Sequence, residues 1–296
     1  IMKPTGRFAP SPTGELHFGS LVAAVGSFLD ARSRDGRWLI RIEDLDPPRE
    51  VEGAAHRQIE TLRHFGLIAD EPPSYQSHSK ARHEVALAWL LSQGLAFPCA
   101  CSRKQLPASG IYPGTCRDGV PPGRRATAVR FKTEDRVIQF TDRLFGPQKQ
   151  NPSTQTGDFI IRRGDGLIAY QLAVVVDDAA TGVTDVVRGA DLLDSTARQI
   201  LLQRALSLPT PTYLHLPVVV DPNGRKLSKS DAADPVASLP VIEALRLAFS
   251  VLGHCPPKEL CAVDSLWRWA IENWNPNRIP FGPVTVQGGR VERYTR

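Results

Sequence analysis

No run of about 18 apolar residues occurs in this chain, which argues against a membrane-spanning helix. The first twenty residues lack the basic-then-apolar order of a signal peptide. Ile1 precedes Met2, and Met2 reads as the natural start. Cysteine is scarce: five residues, odd in number and unevenly spaced, which argues against a disulfide framework. A reducing cytoplasm suits such a set better. There is no internal repeat and no low-complexity tract. What remains is an ordinary globular composition, 42% hydrophobic and 23% charged over 296 residues. That length allows two compact units with a sizeable core. A formal charge of +5 favours a polyanionic partner, though many basic proteins bind no nucleic acid.

The pattern predicts alternating strands and helices. Arg7 to Pro10 reads as a strand entering the turn Ser11-Pro12-Thr13-Gly14, with a helix over 17–34 behind it. Trp38 to Ile42 reads as a strand, followed by a helix over 49–65. That order implies a parallel sheet, whose ligands gather at the carboxyl ends of its strands. Phe8 to Ser11 and Glu43 to Asp46 should therefore meet in one crevice. A helix is expected over 79–94, and a Pro-, Gly-, Cys- and Arg-rich insertion begins near Pro98. Antiparallel strands are expected over 129–163. Parallel-sheet character returns over 168–178, with Tyr170 on a buried strand, and a helix over 192–206. His215 to Val220 reads as the last apolar strand. Helices are expected over 241–252 and 258–273. The final stretch, with Pro276, Pro280 and Pro283, reads as irregular.

Two segments carry chemistry. His17-Phe18-Gly19-Ser20 lies near the start and Lys226-Leu227-Ser228-Lys229-Ser230 near the end. Alone, the lysine string is a common solvated turn. Together, in this order, they resemble the two ATP-handling signatures of class I aminoacyl-tRNA synthetases. Attack of a carboxylate on the α-phosphate of ATP builds negative charge, which needs preplaced donors. The resemblance makes His17, Lys226 and Lys229 the catalytic candidates. Gly19 and Ser20 join His17 and Lys229 in binding ATP, with magnesium beside it. Ser20 stands where the general signature has a second histidine.

The chain resembles glutamyl-tRNA synthetases and, more closely, the shortened glutamyl-Q tRNA(Asp) synthetases. The likeness spans most of residues 5–235. It rests on Gly6 to Gly14, Arg41 to Pro47, Tyr170 to Asp178, Val187 to Asp191 and the lysine string. It implies a Rossmann-type α/β catalytic domain in two halves, 1–78 and 167–235, around an inserted α+β subdomain, 79–166, with a zinc-binding loop. A short helical region, 236–296, would follow. A glutamate pocket must hold two carboxylates and an ammonium, and guanidinium groups suit carboxylates. Arg7 and Arg188 are the expected carboxylate partners, with Tyr170 adding a hydroxyl. Glu43 is the expected ammonium partner, and Ser11 can donate. Phe8, Ala9 and Pro10 complete the pocket. Structural alternatives stand beside these: a salt bridge for Arg188, helix-end capping for Glu43, and core packing for Tyr170.

Cys99, Cys101 and Cys116 put three thiols in a loop poor in core-forming residues, a fit for zinc in a tetrahedral shell. No histidine lies between Phe97 and Val129 to complete it. In the shortened family the fourth ligand is a tyrosine, and Tyr112 matches it. The alternative is a set of buried free thiols. Cys255 and Cys261 read as packing residues on a helix. Arg117, Arg124, Arg125 and Arg130 are clustered enough to touch RNA phosphates, or form a solvated face. Trp267, Trp269 and Trp274 fit core packing better than base stacking.

Asp231 to Arg296 is too short for a large anticodon-binding cage. The resemblance implies a cytoplasmic monomer, acting on the tRNA(Asp) anticodon stem-loop. It would activate glutamate with ATP and attach it to queuosine at the wobble position. The rivals are a minimal synthetase charging the 3′ end of tRNA and an inert synthetase-like RNA-binding protein. A third is a small-molecule adenylate-forming ligase.

Overall fold

The computed structural model describes residues 3–225, 235–287 and 289–294. Lys226 and Lys229, with the rest of the lysine string, lie outside the described residues. Strands β1 (Thr5–Phe8) and β2 (Arg37–Ile42) flank helix α1 (Phe18–Arg32). Helix α2 (Ala54–His64), the short β3 (Ser74–Tyr75) and α3 (Lys80–Ser92) follow. Next come β4 (Ala96–Cys99), β5 (Ala128–Phe131), β6 (Ile138–Asp142) and β7 (Gly146–Gln150). The one-turn α4 (Pro152–Gln155) leads to β8 (Phe159–Arg162) and α5 (Tyr170–Ala180). Then come β9 (Asp185–Gly189), α6 (Thr196–Ala205), β10 (Thr212–Leu216) and β11 (Val219–Val220). The chain closes with α7 (Val241–Val251), α8 (Val263–Glu272), β12 (Val284–Gln287) and β13 (Arg290–Arg293). None of the described helices is long and apolar enough to cross a membrane.

One seven-stranded sheet runs β3-β2-β1-β9-β10-β6-β7. All neighbours are parallel except β6 and β7. The chain winds outward from β1 to β3, then returns to place β9 on the other side of β1. The switch point therefore lies between β1 and β9, where such sheets bind ligands. This is the Rossmann-type parallel sheet the sequence implies.

Helix α1 is buried nearly all round because it has a partner on each side. Gly26 faces β10 so closely that a Cβ there would lie 2.4 Å from Leu216 Cδ1. Phe28 joins the sheet to the C-terminal helices, meeting Trp38 of β2 and Trp267 of α8 edge-on at 5.2 and 4.9 Å. Trp267 also donates from Nε1 to the Phe65 carbonyl at 2.8 Å. Its packing role is as expected, and Trp269 and Trp274 lie partly buried against the same core. The C-terminal helices are thus docked on the catalytic sheet's α1 layer.

Several expectations need correction. Residues 170–180 form helix α5, not a strand. Its continuous run Leu172–Val176 is buried because α3, α6 and β8 all pack on it. A short apolar run buried on all sides has no period that separates strand from helix. Within the span read as one insertion, β4, β5 and β8 make a separate antiparallel sheet, while β6 and β7 join the main sheet. His215 to Val220 is not the last strand, nor is the final stretch irregular: β12 pairs with β11 and turns back as β13. Cys255 and Cys261 are exposed, in the connection between α7 and α8. Pro256 and Pro257 bar a helix there.

Candidate active site and metal centre

Side chains alternate along a strand, so register decides which meet. Arg7 pairs with Leu39 and Gly6 with Asp185, while His215 pairs with Arg188 and Tyr213 with Asp142. Arg7, Arg41, Arg188, His215 and Asp142 therefore share one sheet face. That face lies under α5 and α6.

Two clusters result. In the first, Asp178 of α5 accepts from Arg7 Nε at 3.1 Å and Nη2 at 3.3 Å. It also accepts from Arg41 Nη1 at 2.6 Å, and Arg41 Nη2 reaches Glu43 Oε1 at 3.3 Å. Burial pushes the Asp178 carboxyl up, but the two guanidinium groups outweigh it and hold it low. For Glu43 burial wins over Arg41 and Arg7, and its carboxyl is raised. The Glu43 N–H donates to the Pro10 carbonyl at 2.9 Å, which joins the ends of β1 and β2. The expected meeting of Phe8–Ser11 with Glu43 is thus present. Phe8 and Pro10 are buried, Ala9 is half-buried and Ser11 is exposed.

The second cluster surrounds Arg188. Its Nη1 donates to Gln199 Oε1 at 2.7 Å and to the Tyr170 hydroxyl at 3.5 Å. Its Nη2 donates to Thr196 Oγ1 at 3.0 Å and its Nε to His215 Nε2 at 3.1 Å. Nη2 also donates to the Leu192 carbonyl at 3.3 Å, and all five partners are neutral. Among the described residues, Arg188 is 5% exposed and forms no ion pair. A buried cation held only by neutral acceptors can still take a carboxylate as its charged partner.

His17 caps α1, its Nδ1 accepting from the Ser20 N–H at 3.2 Å. Gly19 sits beneath the imidazole, where a Cβ would lie 3.1 Å from His17 Cε1. The first turn of a helix offers unpaired N–H groups to an anion.

Sequence reasoning did not single out Arg41, Asp178, His215, Gln199 or Asp142. Arg41 stands two residues before Glu43, on the same strand face, and that period was the available signal. The others needed the helix assignment of α5 or the pairing of β6.

The thiols of Cys99, Cys101 and Cys116 lie within 4.8 Å of one another. Cys101 and Cys116 sulfurs are 3.7 Å apart, and the Tyr112 oxygen is 3.6 Å from Cys99 and 3.9 Å from Cys101. Zinc–thiolate bonds of about 2.3 Å in a tetrahedron put sulfurs about 3.8 Å apart. The donor set therefore fits zinc. Burial and the Cys99 thiol push the Tyr112 phenol up, so ligation as a phenolate needs a cation's field. Burial raises the Cys99 thiol, but donors from Cys101 N–H, Tyr112 and Arg130 hold it low. Arg130 is no phosphate contact: it is 6% exposed, with Nε 3.3 Å from Cys99 sulfur and its guanidinium 3.8 Å over the Tyr112 ring. Arg117 is tied to the Thr133 carbonyl at 2.6 Å, while Arg124 and Arg125 stay exposed.

A family model for the catalytic domain of class I tRNA synthetases (E and Q) matches residues 4–109 and 117–243. A glutamyl-Q tRNA(Asp) synthetase of Aromatoleum aromaticum is 53% identical over 93% of this chain and 90% of its own. One of Chromobacterium violaceum is 48% identical over 95% of this chain and 97% of its own. The chain belongs to the glutamyl-Q tRNA(Asp) synthetases. It is therefore a ligase of the class I synthetase type. The structure is similar to a glutamate tRNA ligase from Elizabethkingia meningosepticum solved with its amino acid, with a TM-score of 0.80 and 25% identity. That match covers 96% of this chain and 67% of the ligase. A glutamate-tRNA synthetase from Elizabethkingia anophelis gives a TM-score of 0.81 at 25% identity, over 97% of this chain and 68% of its own.

Proposed function

We propose that this enzyme activates L-glutamate with ATP and transfers it to queuosine in the anticodon stem-loop of tRNA(Asp). The observation that carries the glutamate reading is Arg188, buried among neutral acceptors beside Tyr170. The substrate's carboxylate supplies the charge its pocket lacks. Arg7, already shared with Asp178, contributes field to the same crevice, with Ser11 at its mouth. Glu43 takes the ammonium. The acceptor reading is supported by the names of relatives about half identical over nearly their whole length.

The chemistry has two steps. The α-carboxylate of glutamate attacks the α-phosphate of ATP, forming glutamyl-adenylate and releasing pyrophosphate. His17, Gly19 and Ser20 at the start of α1 receive the phosphates, with Lys226 and Lys229 stabilising the charge that develops on them and magnesium accompanying ATP. A hydroxyl of the queuosine diol then attacks the acyl carbon and AMP leaves. Proximity does much of this second step, since AMP is a good leaving group. Zinc held by Cys99, Cys101, Cys116 and Tyr112 would act as a structural staple. Its loop has only a small core of Phe97, Cys99, Tyr112 and Cys116 to hold it otherwise.

The test is transfer of labelled glutamate to purified tRNA(Asp) with and without queuosine, beside tRNA(Glu), followed by nuclease mapping. Label on the anticodon fragment of queuosine-bearing tRNA(Asp) is the expected result. Label on the 3′ fragment would make this a minimal charging enzyme instead.

A further inference from the structure

Behind Arg188 stand two buried titratable groups with no part in the chemistry above. His215 and Asp142 side chains are both 0% exposed, with Nδ1 and Oδ2 2.7 Å apart. The other ring nitrogen, Nε2, faces Arg188 Nε at 3.1 Å. A guanidinium only donates, so Nε2 must accept and the ring proton sits on Nδ1. That proton points at Asp142. The carboxylate cannot swing away: its Oδ1 accepts from the N–H groups of Leu144 and Phe145 at 2.9 and 2.8 Å. Its Oδ2 also accepts from the His215 N–H at 3.1 Å. Burial, helped by Arg188, keeps the imidazole below its ordinary value despite Asp142.

The three residues come from adjacent strands, β6, β10 and β9. The order matters chemically. A carboxylate directly on Arg188 would orient it but cancel the charge a substrate carboxylate needs. An imidazole orients the guanidinium as a neutral acceptor and keeps Asp142 a ring's length away. We infer that His215, its tautomer set by Asp142, is a positioning residue that holds the Arg188 guanidinium at the angle that meets the substrate carboxylate. The inference rests on the proposed assignment of Arg188 to glutamate.

The experiment is glutamate-dependent ATP–pyrophosphate exchange by the full chain, with tRNA(Asp) present and KM followed for glutamate and ATP separately. Losing an acceptor to a charged donor should raise the glutamate KM of His215→Ala by roughly tenfold or more. The ATP KM should stay within about twofold of wild type, since no phosphate partner is touched. Asp142→Asn should move the same way: its amide can donate to Nδ1 and drive the proton to Nε2, against Arg188. His215→Gln returns an acceptor near Nε2 and should bring the glutamate KM back to within about threefold of wild type. Should His215→Ala fail to fold, Asp142→Asn and His215→Gln carry the test.

An unchanged glutamate KM, a parallel rise in both KM values, or no recovery with Gln would each overturn the positioning role. Absence of glutamate activation by wild type, or an unchanged glutamate KM in Arg188→Ala, would instead overturn the glutamate assignment beneath it.

Discussion

Arg41 and Asp178 meet at 2.6 Å across 137 residues of chain. The contact ties β2 to α5 beneath the crevice, and Arg7 shares the same carboxylate at 3.1 Å. Asp178 thus serves two buried guanidinium groups, of which Arg41 alone has Glu43 as a further partner. Removing one partner of a buried pair costs about 3–5 kcal/mol, because the other charge is left uncompensated. Asp178→Ala should lose stability in that range, and Asp178→Asn less, since the amide still accepts one bond. Urea unfolding followed by circular dichroism checks both. An Asp178→Ala protein within about 0.5 kcal/mol of wild type would contradict this account.

Acid should weaken the fold through two imidazoles. Burial holds His215 and His254 below their ordinary value. His254 accepts from the Asn275 N–H at 3.0 Å and lies 2.6 Å from the Leu252 carbonyl, both suited to the neutral ring. Below about pH 6.5 the unfolded chain binds a proton on each and the folded chain does not. The unfolded state then binds more protons, so stability falls as pH falls through that window and is complete above it. Asp142 adds the same sign lower down. Its carboxyl is held low by His215 and backbone donors against burial, so its contribution is lost as pH drops through its folded value. The urea midpoint should decline from about pH 6.5 downward. A midpoint flat between about pH 7 and 5 would refute it.

Why was half of this site legible in the sequence and half not? His17, Glu43 and Arg188 stand in local strings whose chemistry can be read residue by residue. The metal donors are equally local. Asp178 also lies in such a string, but reading 168–178 as a strand hid its purpose. Only a helix across the sheet brings it to Arg7 and Arg41. His215 and Asp142 are different in kind. Their pairing is set by β6 joining β10, a contact made across 73 residues that no local period announces. The exposed Cys255 and Cys261 show the reverse error, since apolar character was given to thiols that a Pro-Pro connection leaves at the surface.

The cysteine centre should carry about one zinc per chain in purified protein. Cys116→Ser should lose it and loosen the small core around Phe97. The stronger test concerns Arg130, which touches a donor but binds no metal itself. It donates to Cys99 sulfur at 3.3 Å and covers Tyr112. Outer partners of this sort are worth about tenfold or more in metal affinity. Arg130→Met should therefore release zinc to a competing chelator at roughly tenfold lower chelator concentration. Equal retention by variant and wild type would leave Arg130 a packing residue only.

The last prediction separates activity from stability at a single position. Gly19 lies in the first turn of α1, where alanine is the better helix former by about 1 kcal/mol. Helix propensity alone says Gly19→Ala should stabilise. The space above it says otherwise for function: a Cβ would stand 3.1 Å from Cε1 and 3.2 Å from Nδ1 of His17. The imidazole must then give way, and with it the bond it accepts from the Ser20 N–H. A ring displaced by even a few tenths of an ångström no longer matches charge developing on the phosphates. The alanine gain and the lost cap bond are each about 1 kcal/mol and roughly offset, so Gly19→Ala should melt close to wild type and form glutamyl-adenylate roughly tenfold more slowly or worse. Full activity in a stable Gly19→Ala protein would mean that His17 does not need its present position, and would remove it from the phosphate site.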